Sequence, residues 1–172
     1  MKSKNKVLNA LKAAYGTALG LEDGRHRIAV YGHTADVDLN TGNCGLFIVR
    51  IKSFDEPASI INDRIHVIFG ASESLMCSNA DDHAIAHVAE AFSGIQNNKT
   101  LIVISDGMPS ATYTLGIDGT KAAAQKIRES GINVLSISIE AEAVRKNDEI
   151  YGAANNYNSA DPGVVFKIIE SF

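Results

Sequence analysis

Two short, mostly apolar runs, Leu101-Ile-Val-Ile-Ser105 and Ile132-Asn-Val-Leu-Ser-Ile-Ser-Ile139, constrain this chain more than anything else in it. Runs of that kind mark strands buried on both faces, which belong to parallel sheets covered by helices. Between them the pattern predicts a helix from about Gly119 to Ser130, closed by Gly131 as a C′ glycine. Strand, helix, strand in that order is a crossover unit. The expected fold is therefore α/β, a mostly parallel central sheet with helices on both faces.

The remaining elements fit the same plan. Val7, Leu8, Leu11, Ala14, Tyr15, Ala18 and Leu19 recur at helical spacing, and Gly20 and Gly24 end that helix. Arg27–Gly32 reads as a short strand, His33–Gly45 as a polar turn region, and Leu46–Lys52 as a second strand in antiparallel connection. Pro57–Phe69 reads as a helix with Pro57 in its first turn, and Ser72–Asp82 as a loop. Ile85, Val88, Ala89, Phe92 and Ile95 form the stripe of the next helix. After Ile139 the expectations are a short helix in Glu142–Glu149, a short strand in Ile150–Ala160 and a terminal helix in Pro162–Phe172.

At 172 residues the chain, 1–172, reads as a single domain. Apolar residues at 45% and charged residues at 21% exclude disorder. A net charge of -4 argues against binding nucleic acid, whose readers carry a basic excess. No apolar run approaches the length of a membrane span and the start lacks a signal-peptide core, so the expected location is cytoplasmic. Cys44 and Cys77 are too few for a disulfide framework or a zinc ribbon.

In sheets of this class ligands sit at the carboxyl ends of the strands. Asp106 occupies that place on the most apolar strand, with Gly107 letting the backbone turn sharply. A carboxylate there suits a hard cation such as Mg²⁺; capping of the following turn explains it equally well. Asp81 and Asp82 stand before the helix that starts near Ala84, and one acid is enough to cap it. The second is then free to face the cleft. His83, His87 and Glu90 share one helix face, which suits either zinc or plain solvation; Ala84 removes the HExxH arrangement. Gly116-Ile-Asp-Gly-Thr-Lys121 lacks the spacing of a phosphate loop, and there is no nucleophile elbow.

Taken together, NADDHAIAHVAEAF, LIVISDGMPS, and an Ala-rich helix leading into SGINVLSISI resemble a von Willebrand factor A (VWA) domain. The nearest likeness is to the C-terminal domain of the cobaltochelatase CobT subunit and its relatives. The resemblance covers essentially the whole chain and is most specific from Asn79 to Ile139. It implies a Rossmann-like fold and a metal-ion-dependent adhesion site, MIDAS, in which three loops coordinate Mg²⁺. By that likeness Asp106 and Asp81 are metal ligands, while Asn79, Ser105 and Gly107 lie behind them or meet the partner. The chain departs from the family in having no Asp-x-Ser-x-Ser and no strand before its first helix. The first, central strand is thus expected to be missing. Its two neighbours then either close up or take a strand and the Asp-x-Ser-x-Ser loop from a separate chain. Mg²⁺ binding by this chain alone is expected to be weak or absent.

Two functions follow from these readings. The first is a non-catalytic protein-interaction module that binds a partner's carboxylate through the ion, with an AAA+ ATPase in a chelatase-like assembly as the partner the resemblance implies. The second is a metal-dependent hydrolase or phosphoryl-transfer enzyme, with Asp106 holding the cation and His33 or His83 as base.

Overall fold

A computed structural model of the chain describes residues 4–37, 44–75, 79–107, 109, 116–160, 164, 167 and 168. Helix α1 spans Lys4–Asp23. It buries Val7, Leu11, Ala18 and Leu21, whereas Leu19, counted in the sequence stripe, is exposed. Strands β1, Val30–Val37, and β2, Cys44–Lys52, pair antiparallel. The strand in β1 therefore runs through His33–Val37, where a turn was expected. Pairing reaches that far because Ala35, opposite Leu46, is driven into contact with Ala80 and is fully buried. Helix α2, Ser59–Leu75, likewise continues past Gly70 into the segment expected as a loop. Residues 76–78 of that segment lie outside the described residues.

Helix α3, Asp81–Ala89, is followed by a 3-10 turn, Glu90–Phe92, so Ile95 falls outside the helix. Then come β3, Thr100–Ser105, helix α4, Gly116–Glu129, and β4, Asn133–Ser138. Gly131, between α4 and β4, has φ +82°, the left-handed conformation a C′ glycine supplies. Helix α5, Ala141–Tyr151, and the short strand β5, Asn156–Asn158, complete the described elements apart from helical residues 164, 167 and 168. The rest of the expected terminal helix lies outside the described residues.

The parallel crossover unit is as expected: β3 pairs with β4, and β4 with β5, all parallel. One continuous sheet is not. Among the described residues there are two sheets, β1-β2 and β3-β4-β5, and no strand joins β1 to β3.

Helices pack against both sheets. On one face α1 packs Val7 and Leu11 into a cluster with Val30 of β1 and Ile51 of β2, and also lies against β3. On the other, Ala80 touches Ala35 of β1, and Ile85 of α3 packs against Leu101 of β3. Helices α1 and α3 thus make contacts with strands of both sheets. Burial reports what the division into two sheets does to β3. Residues Val134–Ser138 of β4 are all buried, whereas Ile102, Val103 and Ile104 beside them are only half-buried. A strand hydrogen-bonded on one side alone leaves its other edge open.

Candidate functional site

Asp106 lies where the strand-end rule puts it, directly after β3, and is buried. The turn that places it depends on glycine. Gly107 has φ +71° and its N–H donates to Ser105 Oγ at 3.0 Å. A Cβ at Gly107 would stand 3.0 Å from the carbonyl oxygen of Ala143 on α5, so side chains are excluded twice over. Ser105 and Gly107 therefore shape the loop that presents Asp106.

Asp81 is the first residue of α3 and is 3% exposed. Ala80 holds the N-cap position without a side-chain cap, so neither acid performs the capping the sequence suggested. Asp82 instead accepts the N–H of His83 at 2.9 Å and sits 3.0 Å from its Nδ1. Asp81 turns inward, its Oδ1 3.5 Å from Nε2 of His33 on β1. Burial first, and then the charge of Asp106, hold the Asp81 carboxyl above the usual carboxylate range, while His33 pulls the other way. The two buried acids therefore sense one another, Asp106 at the end of β3 and Asp81 beside His33 of β1. Asn79 stands two residues before Asp81 and is half-buried.

The other candidates separate from this centre. His83 and His87 are 65% and 61% exposed along their side chains and Glu90 is 74% exposed, the pattern of a solvated helix face. Of the two histidines considered as bases, only His33 reaches one of the buried acids. A hollow of about 590 Å³ lies at the opposite end of the strands, beside Phe92, Lys99 and Ile132, away from the carboxylates.

Three features of the site escaped the sequence. Lys6, on the first turns of α1, places its ammonium 2.8 Å from Glu140 and 3.6 Å from Asp106. The hydrogen bond to Glu140 chiefly, and the charge of Asp106, raise its pKa further. Glu140 lies two residues after the end of β4, one place further on than Asp106 after β3, so the strand-end rule reaches it as well. These residues, with Arg145 and Lys146, line a cleft of about 440 Å³. Beneath the centre, Asn147 is fully buried and donates to Ser138 Oγ at 2.9 Å, while its Oδ1 has no partner among the described residues. Tyr151 is 1% exposed and its hydroxyl likewise has no partner among the described residues. Burial, and then the charge of Asp81, push that hydroxyl well above its ordinary range.

Two buried oxygen donors that repel one another suit a hard cation in kind. They fall short in number. Among the described residues no three of His, Cys, Asp or Glu come together as a group able to hold a metal ion. Nor is any described helix long and apolar enough to cross a membrane. Set against family models, curated proteins and solved structures, the chain matches none of them.

Proposed function

We propose that the chain is a protein-interaction module of the VWA type, not an enzyme, whose cation site is shared with its partner. The observation that carries this reading is the convergence of buried Asp81 and Asp106 at the end of the seam between β1 and β3. An extended apolar segment entering that seam gains backbone hydrogen bonds to both open edges, the strand-addition mode of peptide recognition. Its last residues then arrive beside the two acids, where oxygen donors from the partner complete the ligand set that this chain lacks for Mg²⁺. The separate chain implied by the resemblance is the natural source of such a strand. The same resemblance extends the proposal to an AAA+ ATPase as the protein acted on, at a cytoplasmic location. What the bound ion supplies is attraction for a partner's carboxylate.

Thermal unfolding tests this. The purified chain is heated with Mg²⁺, with a peptide of one apolar strand ending in Asp-x-Ser-Gly-Ser, and with both. At about 100 times the dissociation constant a ligand of the folded state adds about 2.7 kcal/mol. For a chain of this length that corresponds to roughly 5 to 10 °C in midpoint. The proposal expects that rise with both additions together, and expects Asp106→Asn to remove the Mg²⁺-dependent part. A midpoint unmoved by the pair overturns it.

A further inference from the structure

We infer that the open edge of β2 is a self-association surface, on which a second copy of this chain pairs antiparallel about a twofold axis to give a weak, reversible dimer. The inference is independent of the buried acids and of any cation, because β2 belongs to the β1-β2 sheet and not to the sheet that carries Asp106.

Among the described residues β2 pairs with β1 alone, so one side of a nine-residue strand offers its backbone groups for pairing. Chains usually guard such an edge with a short strand, a proline or exposed charges. Cys44–Lys52 is long and has no proline. Its lysine, Lys52, is 1% exposed and donates to the carbonyl oxygens of Ile28 and Ser53 at 2.7 and 3.0 Å, which leaves Arg50 as the exposed charge of the strand. Apolar surface follows the same strand. Phe47 and Val49 are each 49% exposed and share one face of β2 by strand alternation. Opposite them on β1 stand Thr34 and Gly32, too small to cover them, whereas Leu46 on the other face packs toward Ala35 and Ala80. A third exposed apolar side chain, Val67, is on α2, a helix that packs against β2.

Charge and area point to a second copy as the occupant. In a twofold pair centred at Ile48, Phe47 of each copy stands opposite Val49 of the other, an aromatic and β-branched pair of the kind that stabilises sheets. The two Arg50 positions then lie four residues apart along the strands, about 13 Å at roughly 3.4 Å per residue, which exceeds the screening length of about 8 to 10 Å in ordinary salt. Parallel, in-register stacking would instead set one Arg50 about 4.8 Å from the next. The charge on this strand therefore selects the antiparallel pair over an open stack, and because the pair uses both β2 edges, growth stops at two. Area sets the strength. Half-exposed Phe47 contributes about 100 Å² and Val49 less. With the strand edge added, the pair stays below the roughly 1,200 Å² of total burial at which stable complexes begin. The expected dissociation constant is about 100 µM.

The test is sedimentation equilibrium of the whole chain from about 5 to about 500 µM, with backbone hydrogen exchange at both ends of that range. The weight-average mass is expected to rise from 18.3 kDa toward twice that value and no further. Alternate amides of Cys44–Lys52 should slow at the high concentration. Phe47→Lys and, separately, Val49→Lys should each weaken the dimer at least about tenfold, since each sets a charge against apolar surface. Asp106→Asn should leave it unchanged. Circular dichroism establishes that each variant is folded, and Val49→Thr replaces a lysine variant that is not. A mass of 18.3 kDa throughout overturns the inference. So does a dimer that both lysine variants leave intact, one that Asp106→Asn abolishes, or growth beyond two copies. Amides of β2 that slow only on addition of the strand peptide would assign this edge to a strand of another protein, and overturn it as well.

Discussion

Ile104 and Ile137 make a matched probe of the open edge on β3. They are the same residue type, paired directly across β3 and β4, and they join one apolar cluster with Ile168. Ile137 is 0% exposed, whereas Ile104 is half-buried. Ile→Ala removes three carbons, about 2.4 kcal/mol of transfer free energy at roughly 0.8 kcal/mol for each carbon. At Ile137 the walls close on every side, so a cavity adds to this and the expected cost is about 3 to 4 kcal/mol. At Ile104 about half the transfer value is at stake and no sealed cavity forms, which gives about 1 to 1.5 kcal/mol. Urea unfolding of both variants against wild type, at equal m values, measures the difference. A gap of about 1.5 kcal/mol or more is expected. Equal costs would refute the reasoning, because they would mean that β3 is enclosed as completely as β4. Addition of the strand peptide and Mg²⁺ should raise the cost at Ile104 toward that at Ile137.

Three further outcomes follow from the site. Asp81 has a carboxyl pKa raised in the folded state, so folding takes up a proton and stability falls as pH rises from the ordinary value of 3.8 through the raised one. Asp81→Asn should therefore be more stable than wild type at neutral pH, with the two converging in acid; a pH series of urea midpoints showing wild type the more stable at pH 7 contradicts this. Gly107→Ala should cost at least about 1 to 2 kcal/mol, since the positive φ and the Ala143 backbone both oppose a Cβ; chemical denaturation checks it, and a neutral result would show that the loop relaxes freely. Tyr151→Phe removes a buried hydroxyl without a partner among the described residues and should be neutral or stabilising by up to about 1 kcal/mol. A loss of 1 kcal/mol or more in the same assay would mean that the hydroxyl is bonded in solution.

How much of this was legible in the residues follows from what each pattern can encode. The parallel unit was plain in the sequence because β3 and β4 are both mostly apolar runs, and the glycine after α4 sits at a position that demands positive φ. Asp106 was found by a rule about strand ends. The same rule covers Glu140, and its role went unseen because its partner, Lys6, lies more than 130 residues away on the polar side of α1. Pairings of that kind leave no local trace. The extension of β1 through His33–Val37 was missed for a related reason: His33, Thr34 and Asp36 read as turn residues, and the contact of Ala35 with Ala80 that accompanies the strand there is not local in sequence. Asn147 and Tyr151 look like ordinary members of an amphipathic helix until burial shows polar atoms inside. The division into two sheets was not legible, because the alternation of helices and apolar strands does not say which strands are hydrogen-bonded to which.

Hydrogen exchange of the backbone amides tests the central claim most directly, namely that β1 and β3 present open edges to a strand from elsewhere. In β4, Ser136, Ile137 and Ser138 lie between β3 and β5, so their amides should be uniformly slow. Along Thr100–Ser105 and Val30–Val37 every second amide should exchange orders of magnitude faster, since only one side of each strand is hydrogen-bonded. Addition of the strand peptide with Mg²⁺ should slow those alternate amides in both strands at once. Uniform protection of β1 and β3 in the chain alone, equal to that of Ser136–Ser138, would show that the seam is closed in solution and would contradict the account.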